Sequence, residues 1–184
     1  MKTERWRRTL STKQFEVLTT VCEELDTTYL DILARCKEEV EGAKEILSQL
    51  SKKAMIGVLS NGFSSTQYKK IRNSGLDRYI CRMVVSEEIG INKPDKRVFD
   101  YAIRATGAAG KVLMAGDNAE TDILGAMQAG WNAIWINHKG DPFPFTEEEL
   151  KRDGINPALL LGNVSSLKAA YPLINQFLDK ENFD

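Results

Sequence analysis

Histidine is nearly absent from this sequence: His138 is the only one in 184 residues. Nothing nearby in sequence pairs it with a nucleophile or a metal-ligand cluster, so it reads as a solvated loop residue. Cysteine is scarce as well, and Cys22, Cys36 and Cys81 are odd in number and far apart. That spacing argues against a disulfide framework and against a Cys-rich zinc site, and free thiols fit a reducing compartment, so the cytoplasm is the expected location. An excess of either charge is missing too. With 25 basic and 26 acidic residues the net charge is -1, which leaves no electrostatic footprint for a nucleic-acid polymer or an anionic membrane. An anionic substrate must therefore be met by local groups. No apolar run approaches the roughly 18 residues of a membrane span, and the start, MKTERWRRTL, has no apolar signal-peptide region. The basic stretch Met1 to Arg8 reads as the solvated start of a helix rather than a targeting piece, because it contains Glu4 and little serine. Repeats and low-complexity segments are lacking.

What is present is enough apolar material, 42%, for one core and a small appendage. Phe15, Leu18, Cys22, Leu25, Tyr29 and Leu33, then Val40, Ala43, Ile46, Leu47 and Leu50, recur at the three-to-four spacing of amphipathic helices. From Met55 the period changes. Met55 to Leu59 is a short apolar run ended by Ser60-Asn61-Gly62, which reads as a buried strand entering a tight turn. Helices are then expected at Ser64 to Ser74, Asp95 to Thr106 and Glu120 to Ala129, alternating with strands at Arg82 to Val85, Val112 to Ala115 and Ala133 to Ile136. That alternation predicts an α/β fold with a largely parallel sheet. Asn137 to Pro157 is irregular, with Asp141-Pro142-Phe143-Pro144 at its centre. A last strand is expected at Leu159 to Leu161, then a helix from Val164 to Phe177 that Pro172 kinks or interrupts, with fraying from Leu178 onward. Glu147 to Glu149 reads as a solvated helix face, and Trp131 and Trp135 as residues in or beside the core, with no role assigned to Trp6.

Ligands of open parallel sheets bind at the carboxyl ends of strands, so polar residues just after apolar runs are the candidates. At Ser60-Asn61-Gly62 a hydroxyl and successive backbone N-H groups can hold a phosphate oxygen. The competing reading is ordinary turn chemistry, with Ser60 and Asn61 bonded to nearby backbone and Gly62 at positive φ. Asp117 stands at the tip of an apolar run and Asp122 just inside the next helix, a pair of hard oxygen ligands suited to magnesium. Helix capping by Asp117 or Asn118, with Glu120 and Asp122 favourable to the helix dipole, accounts for the same residues. Lys93, in a loop before Pro94, is a candidate for neutralising a phosphoryl group. Taken alone it is simply a solvated lysine, with Pro94 suited to opening a helix.

In order and spacing these segments resemble the haloacid dehalogenase superfamily: a strand ending in Ser60, Lys93-Pro94, and Gly116-Asp117 through Asp122. The stretches SNGF, SGLDRYI and VVSEEIGINKPDKRVFDYAI are similar to the branch holding nucleoside monophosphate 5'-nucleotidases. The resemblance implies a Rossmann-like core at residues 40–184 with part of a helical cap at residues 1–39. It also implies a magnesium-dependent phosphomonoesterase working through an aspartyl-phosphate, with nucleoside monophosphates or another small phosphorylated metabolite as partner. Ser60 and Lys93 would be catalytic. Ser60, Asn61, Gly62 and Lys93 would hold the phosphate, while Asp117 and Asp122 would serve the metal, Asp122 supporting either metal or lysine. Dehalogenation is less expected, because dehalogenases need no magnesium.

One part of the pattern is absent: no DxDxT string, which carries the family's nucleophile, occurs in the sequence. The nearest approximation is Glu24-Leu25-Asp26-Thr27-Thr28, but Glu would shift the attacking oxygen by a methylene, and the segment fits a helical stripe of the cap better than a strand. The expectation is a chain that starts late, without the first core strand, and that is inactive or impaired as a hydrolase. The alternative is a non-catalytic phosphate- or magnesium-binding or assembly protein. A gap at that strand would be closed by pairing of the flanking strands, by another segment, or by a partner chain through homo-oligomerisation or strand exchange.

Overall fold

The computed structural model describes residues 19–35 and 39–180. Among these, all strand pairs are parallel, and they fall into two sheets. One joins β1 (Gly57–Ser60) to β2 (Arg82–Val85), and the other joins β3 (Leu113–Gly116), β4 (Asn132–Ile136) and β5 (Leu160–Val164) in that order. Helices supply the crossovers, as the alternating pattern requires. They are α1 (Thr19–Arg35), α2 (Ala43–Leu50), α3 (Ser64–Ser74), the one-turn α4 (Ser86–Ile89), α5 (Lys96–Thr106), α6 (Gly125–Gln128), α7 (Glu147–Arg152) and α8 (Leu167–Lys180). None of the described helices is long and apolar enough to cross a membrane.

β4 is the centre of the larger sheet, and its alternation divides the core. Ala133 and Trp135 face a cluster with Phe99, Ile123, Met127 and Leu150, while Ile134 faces Ile46, Leu50, Ala170 and Ile174 on the other side. The second cluster also explains α8. The sequence predicts a kink or an interruption at Pro172 and fraying from Leu178 to Asp184; the helix is not interrupted and continues to Lys180, with residues 181–184 outside the described ones. The buried contacts of Ala170 and Ile174 on either side of the proline offset its missing N-H.

β1 and β3 behave differently from β4. Neither has a buried residue, and Gly57 and Ala115 are exposed. The reason is in the edges. Cys81 N-H donates to the Ile56 carbonyl, so alternation turns Gly57 and Leu59 away from β2. Asn132 N-H donates to the Val112 carbonyl, so Leu113 and Ala115 likewise turn away from β4. Between the two edges lies a cavity of about 130 Å³, lined by Val58, Leu59, Ala102, Leu113, Met114 and Trp131 among others. No described strand lies between β1 and β3, and they do not pair with each other, so direct pairing of the flanking strands is not how the sheets are joined.

Two further expectations are adjusted. The buried positions of α1 are Cys22, Asp26 and Ala34, four or eight residues apart, while Val21, Tyr29 and Ile32 are exposed. The stripe expected at Cys22, Leu25, Tyr29 and Leu33 is thus rotated toward α3, where Asn73 Nδ2 donates to the Ala34 carbonyl at 2.7 Å. The helix expected at Glu120 to Ala129 opens instead as a π-helical turn, Ala119–Leu124, before α6. Ile123 N-H reaches back five residues to the Asn118 carbonyl, the wider closure that defines such a turn.

Candidate functional site

The site is assembled at the carboxyl ends of β1 and β3. β1 ends in Ser60, whose hydroxyl oxygen accepts from Gly62 N-H at 3.0 Å. The turn chemistry foreseen from sequence is therefore real, but it consumes only the acceptor side of the hydroxyl, and the O-H proton remains to be donated. Gly62 is not at positive φ. A Cβ there would lie 2.3 Å from Gln67 Nε2, so a larger residue would push that side chain aside.

Asn61 turns its side chain away from ligand duty. Its Oδ1 accepts from Lys93 N-H at 2.8 Å and from the Ser86 hydroxyl at 2.7 Å, and its Nδ2 donates to the Lys93 carbonyl at 3.0 Å. One amide thus grips both polar groups of the Lys93 backbone, leaving the Asn61 N-H as the group available to an anion. The Lys93–Pro94 bond that follows is cis. Asp95, not Pro94, then caps α5, accepting from Arg97 N-H at 2.9 Å. The side-chain hydrogen bond from Arg97 holds the Asp95 carboxyl down at about 2.

Lys93 is buried, which is costly for an ammonium unless it is paired. Its Nζ donates to Asp122 Oδ1 at 2.7 Å and to the Leu59 carbonyl at 2.8 Å, so it bridges the two sheets. Leu59 is available for this because its carbonyl points away from β2. Asp122 is buried as well, and its second oxygen accepts from Asn118 N-H at 3.2 Å. The π turn brings it so close to β3 that a Cβ at Gly116 would lie 2.5 Å from Asp122 Oδ2. Only glycine at 116 leaves space for that carboxylate.

Asp117, next in the chain, is exposed at the strand tip. Capping of the turn that follows belongs to Asn118, whose Oδ1 accepts from Glu120 N-H at 3.0 Å and Thr121 N-H at 2.8 Å. Of the two capping candidates in the sequence, Asn118 does the work, and the Asp117 carboxylate is left for something else. Among the described residues no three His, Cys, Asp or Glu side chains gather into a metal-binding group.

Lys93, Asn61 and Asp122 are thus joined by direct hydrogen bonds, with Ser60 at the start of the same turn and Asp117 on the neighbouring tip. Sequence reading missed Ser86, buried and bonded to Asn61, and Trp135, whose indole N-H donates to the Asp117 carbonyl at 2.9 Å. Neither carries a motif. The signal for Ser86 was its place directly after the apolar run Met83-Val84-Val85. The segment Glu24 to Thr28 lies inside α1, as its helical spacing indicated. His138 is exposed, its Nδ1 2.9 Å from the Ser165 carbonyl, and Trp6 lies outside the described residues.

Comparison with known proteins adds three kinds of likeness. The sequence pattern of the haloacid dehalogenase-like hydrolases matches residues 2–130. The pyrimidine 5'-nucleotidase YjjG of Escherichia coli is 38% identical over 122 residues, covering 64% of this chain and 54% of that protein. A glyceraldehyde 3-phosphate phosphatase of Methanothermobacter thermautotrophicus is 33% identical over 122 residues, with 64% and 51% covered. The chain therefore spans about half the length of the curated relatives it matches. Among solved structures, the HAD-hydrolase YfnB of Bacillus subtilis, bound to magnesium, superposes with a TM-score of 0.78 at 24% identity, over 95% of this chain and 70% of that one.

Proposed function

The chain belongs to the haloacid dehalogenase-like hydrolase family, and from that premise we propose that its site binds the phosphoryl group of a small phosphate monoester together with magnesium, the machinery of a phosphomonoesterase of the 5'-nucleotidase kind. The observation that carries this reading is the buried Lys93 ammonium, fixed by Asp122 and the Leu59 carbonyl at the mouth of a turn with free donors. A lysine held this way is a positive charge whose position is set before substrate arrives, which is what stabilising a transferring phosphoryl group requires. In this reading Ser60 donates its hydroxyl proton to one phosphate oxygen, the Asn61 and Gly62 backbone lines the same turn, and Lys93 offsets the charge. Asp117 and Asp122 supply the carboxylates of the metal side, Asp122 while also orienting Lys93. Magnesium there would polarise the phosphoryl oxygens and shield their charge. Residues 1–39 would contribute to the cap and residues 40–184 form the core.

A carboxylate nucleophile is the element these residues do not supply, since the sequence holds no DxDxT string. We place its natural seat between β1 and β3, whose outward N-H and C=O groups, apart from the Leu59 carbonyl that Lys93 holds, would accept a parallel strand from another segment or from a second copy of the chain. On its own the 184-residue chain should bind phosphate with magnesium and hydrolyse a phosphate monoester slowly at most. The competing reading, binding without turnover, is favoured by the same missing carboxylate. Calorimetry with inorganic phosphate and magnesium, alongside phosphate release from pyrimidine nucleoside monophosphates, separates them. Binding lost in Lys93→Ala with slow, magnesium-dependent release supports the enzyme, and binding with no release supports the alternative. No heat at millimolar phosphate removes both.

A further inference from the structure

The strand ladder between β3 and β4 ends at the pair Gly116 and Trp135, one residue short of Asp117. Beyond that point the Asp117 peptide has no strand neighbour to hold it. Trp135 extends the ladder by another route: its indole N-H donates to the Asp117 carbonyl at 2.9 Å. The ring that makes this bond is itself immobilised. It is 7% exposed, packs in the core cluster with Ile123 and Met127, and meets Phe143 edge-on at 5.6 Å, which in turn meets Phe145 at 5.4 Å. On the other side Asn118 is fixed through both its N-H, bonded to Asp122 Oδ2, and its side-chain cap.

We infer that Trp135 is a positioning residue for Asp117: by tying down the Asp117 carbonyl it fixes the direction in which an exposed carboxylate leaves the strand tip. A strand-tip peptide without such a bond samples several backbone orientations, and that freedom must be frozen out when a cation binds the carboxylate it carries. The bland account of the bond is that a buried indole N-H needs any acceptor at all. That account predicts an effect on stability alone, whereas positioning predicts an effect on cation affinity. Phenylalanine distinguishes the two, because it fills the ring's place and removes the only donor the side chain has.

The inference rests on Asp117 as the cation ligand, so the experiment tests both on the full chain. Magnesium chloride is titrated calorimetrically, and thermal unfolding recorded, for the wild type, Asp117→Ala, Trp135→Phe and Phe143→Leu. Expected are loss of binding in Asp117→Ala, and a dissociation constant raised about threefold to tenfold in Trp135→Phe, the range of one hydrogen bond. Phe143→Leu, which loosens the aromatic stack but keeps the indole bond, should lower the melting temperature and leave magnesium affinity within about twofold. If Asp117→Ala binds like the wild type, or the wild type gives no heat, the reading of the site fails. If Asp117→Ala is inert while Trp135→Phe titrates like the wild type, or loses no more affinity than Phe143→Leu at the same fall in melting temperature, the site stands and the positioning role is overturned.

Discussion

Lys93, in the loop tied to the end of β1, and Asp117, at the tip of β3, are finished to different degrees. On the β1 side, Lys93 is buried, Asn61 holds both its N-H and its C=O, and its ammonium meets Asp122 and the Leu59 carbonyl. On the β3 side, the Asp117 carboxylate is exposed and only its backbone is tied. The physics of burial accounts for the contrast. A charge removed from water must be paired in the folded state whether or not a ligand is present, so the lysine's surroundings are part of the fold. A carboxylate left in water has no such debt and can wait for its partner. Fold and function are therefore coupled at Lys93 and separable at Asp117.

The strongest way to break that contrast is Asp122→Ala, which strands the buried ammonium. It should cost about 3–5 kcal/mol, read as a lower urea midpoint. A cost under about 1 kcal/mol would mean that the cleft admits enough water to solvate Lys93, and the two sides would no longer differ in kind. Next is Asn61→Ala, which leaves the Lys93 backbone groups to find other partners and should cost about 1–3 kcal/mol in the same measurement. Asp117→Ala should stay within about 0.5 kcal/mol of the wild type while abolishing magnesium binding, the signature of the separable side. The smallest effect concerns Asp95, just past the lysine. Its folded carboxyl sits at about 2 against an ordinary 3.8 because Arg97 bonds it. A lowered value stabilises the fold above the ordinary value, and that contribution is lost as the pH falls through about 2. Asp95→Asn, which keeps a capping oxygen, should flatten slightly the fall of melting temperature between pH 4 and pH 2, seen by circular dichroism.

Much of this was legible in the sequence. The apolar runs at Arg82 to Val85 and Ala133 to Ile136 gave strands at or within one residue of their observed bounds, because parallel strands buried or half-buried between helices leave an uninterrupted apolar signal. The order and spacing of the segments holding Ser60, Lys93 and Asp122 marked them as candidates, and the structure brings those segments together. Periodicity could not show which face of α1 is buried, since Val21 and Ile32 are as apolar as the residues that turn inward. The π turn was hidden for another reason: it depends on the Asn118 carbonyl accepting from Ile123 and on Gly116 making space for Asp122, a three-body arrangement with no local propensity behind it. Pro172 does not interrupt its helix, because burial of Ala170 and Ile174 on either side holds the segment helical despite a local breaker.

The bond from Lys93 to the Leu59 carbonyl also bears on how the protein behaves in a crowd. An open strand edge is a template for another chain, and proteins guard such edges with charges that point inward. β1 presents its outward edge to the cleft, and Lys93 places an ammonium across the middle of it, occupying one of the acceptors that an intruding strand would need. A strand seated at this edge must leave the Leu59 carbonyl to the lysine, which narrows the registers it can adopt. A variant that replaced this lysine with an apolar residue would lose the phosphate site and free the Leu59 carbonyl together, so self-association should accompany the loss of phosphate binding.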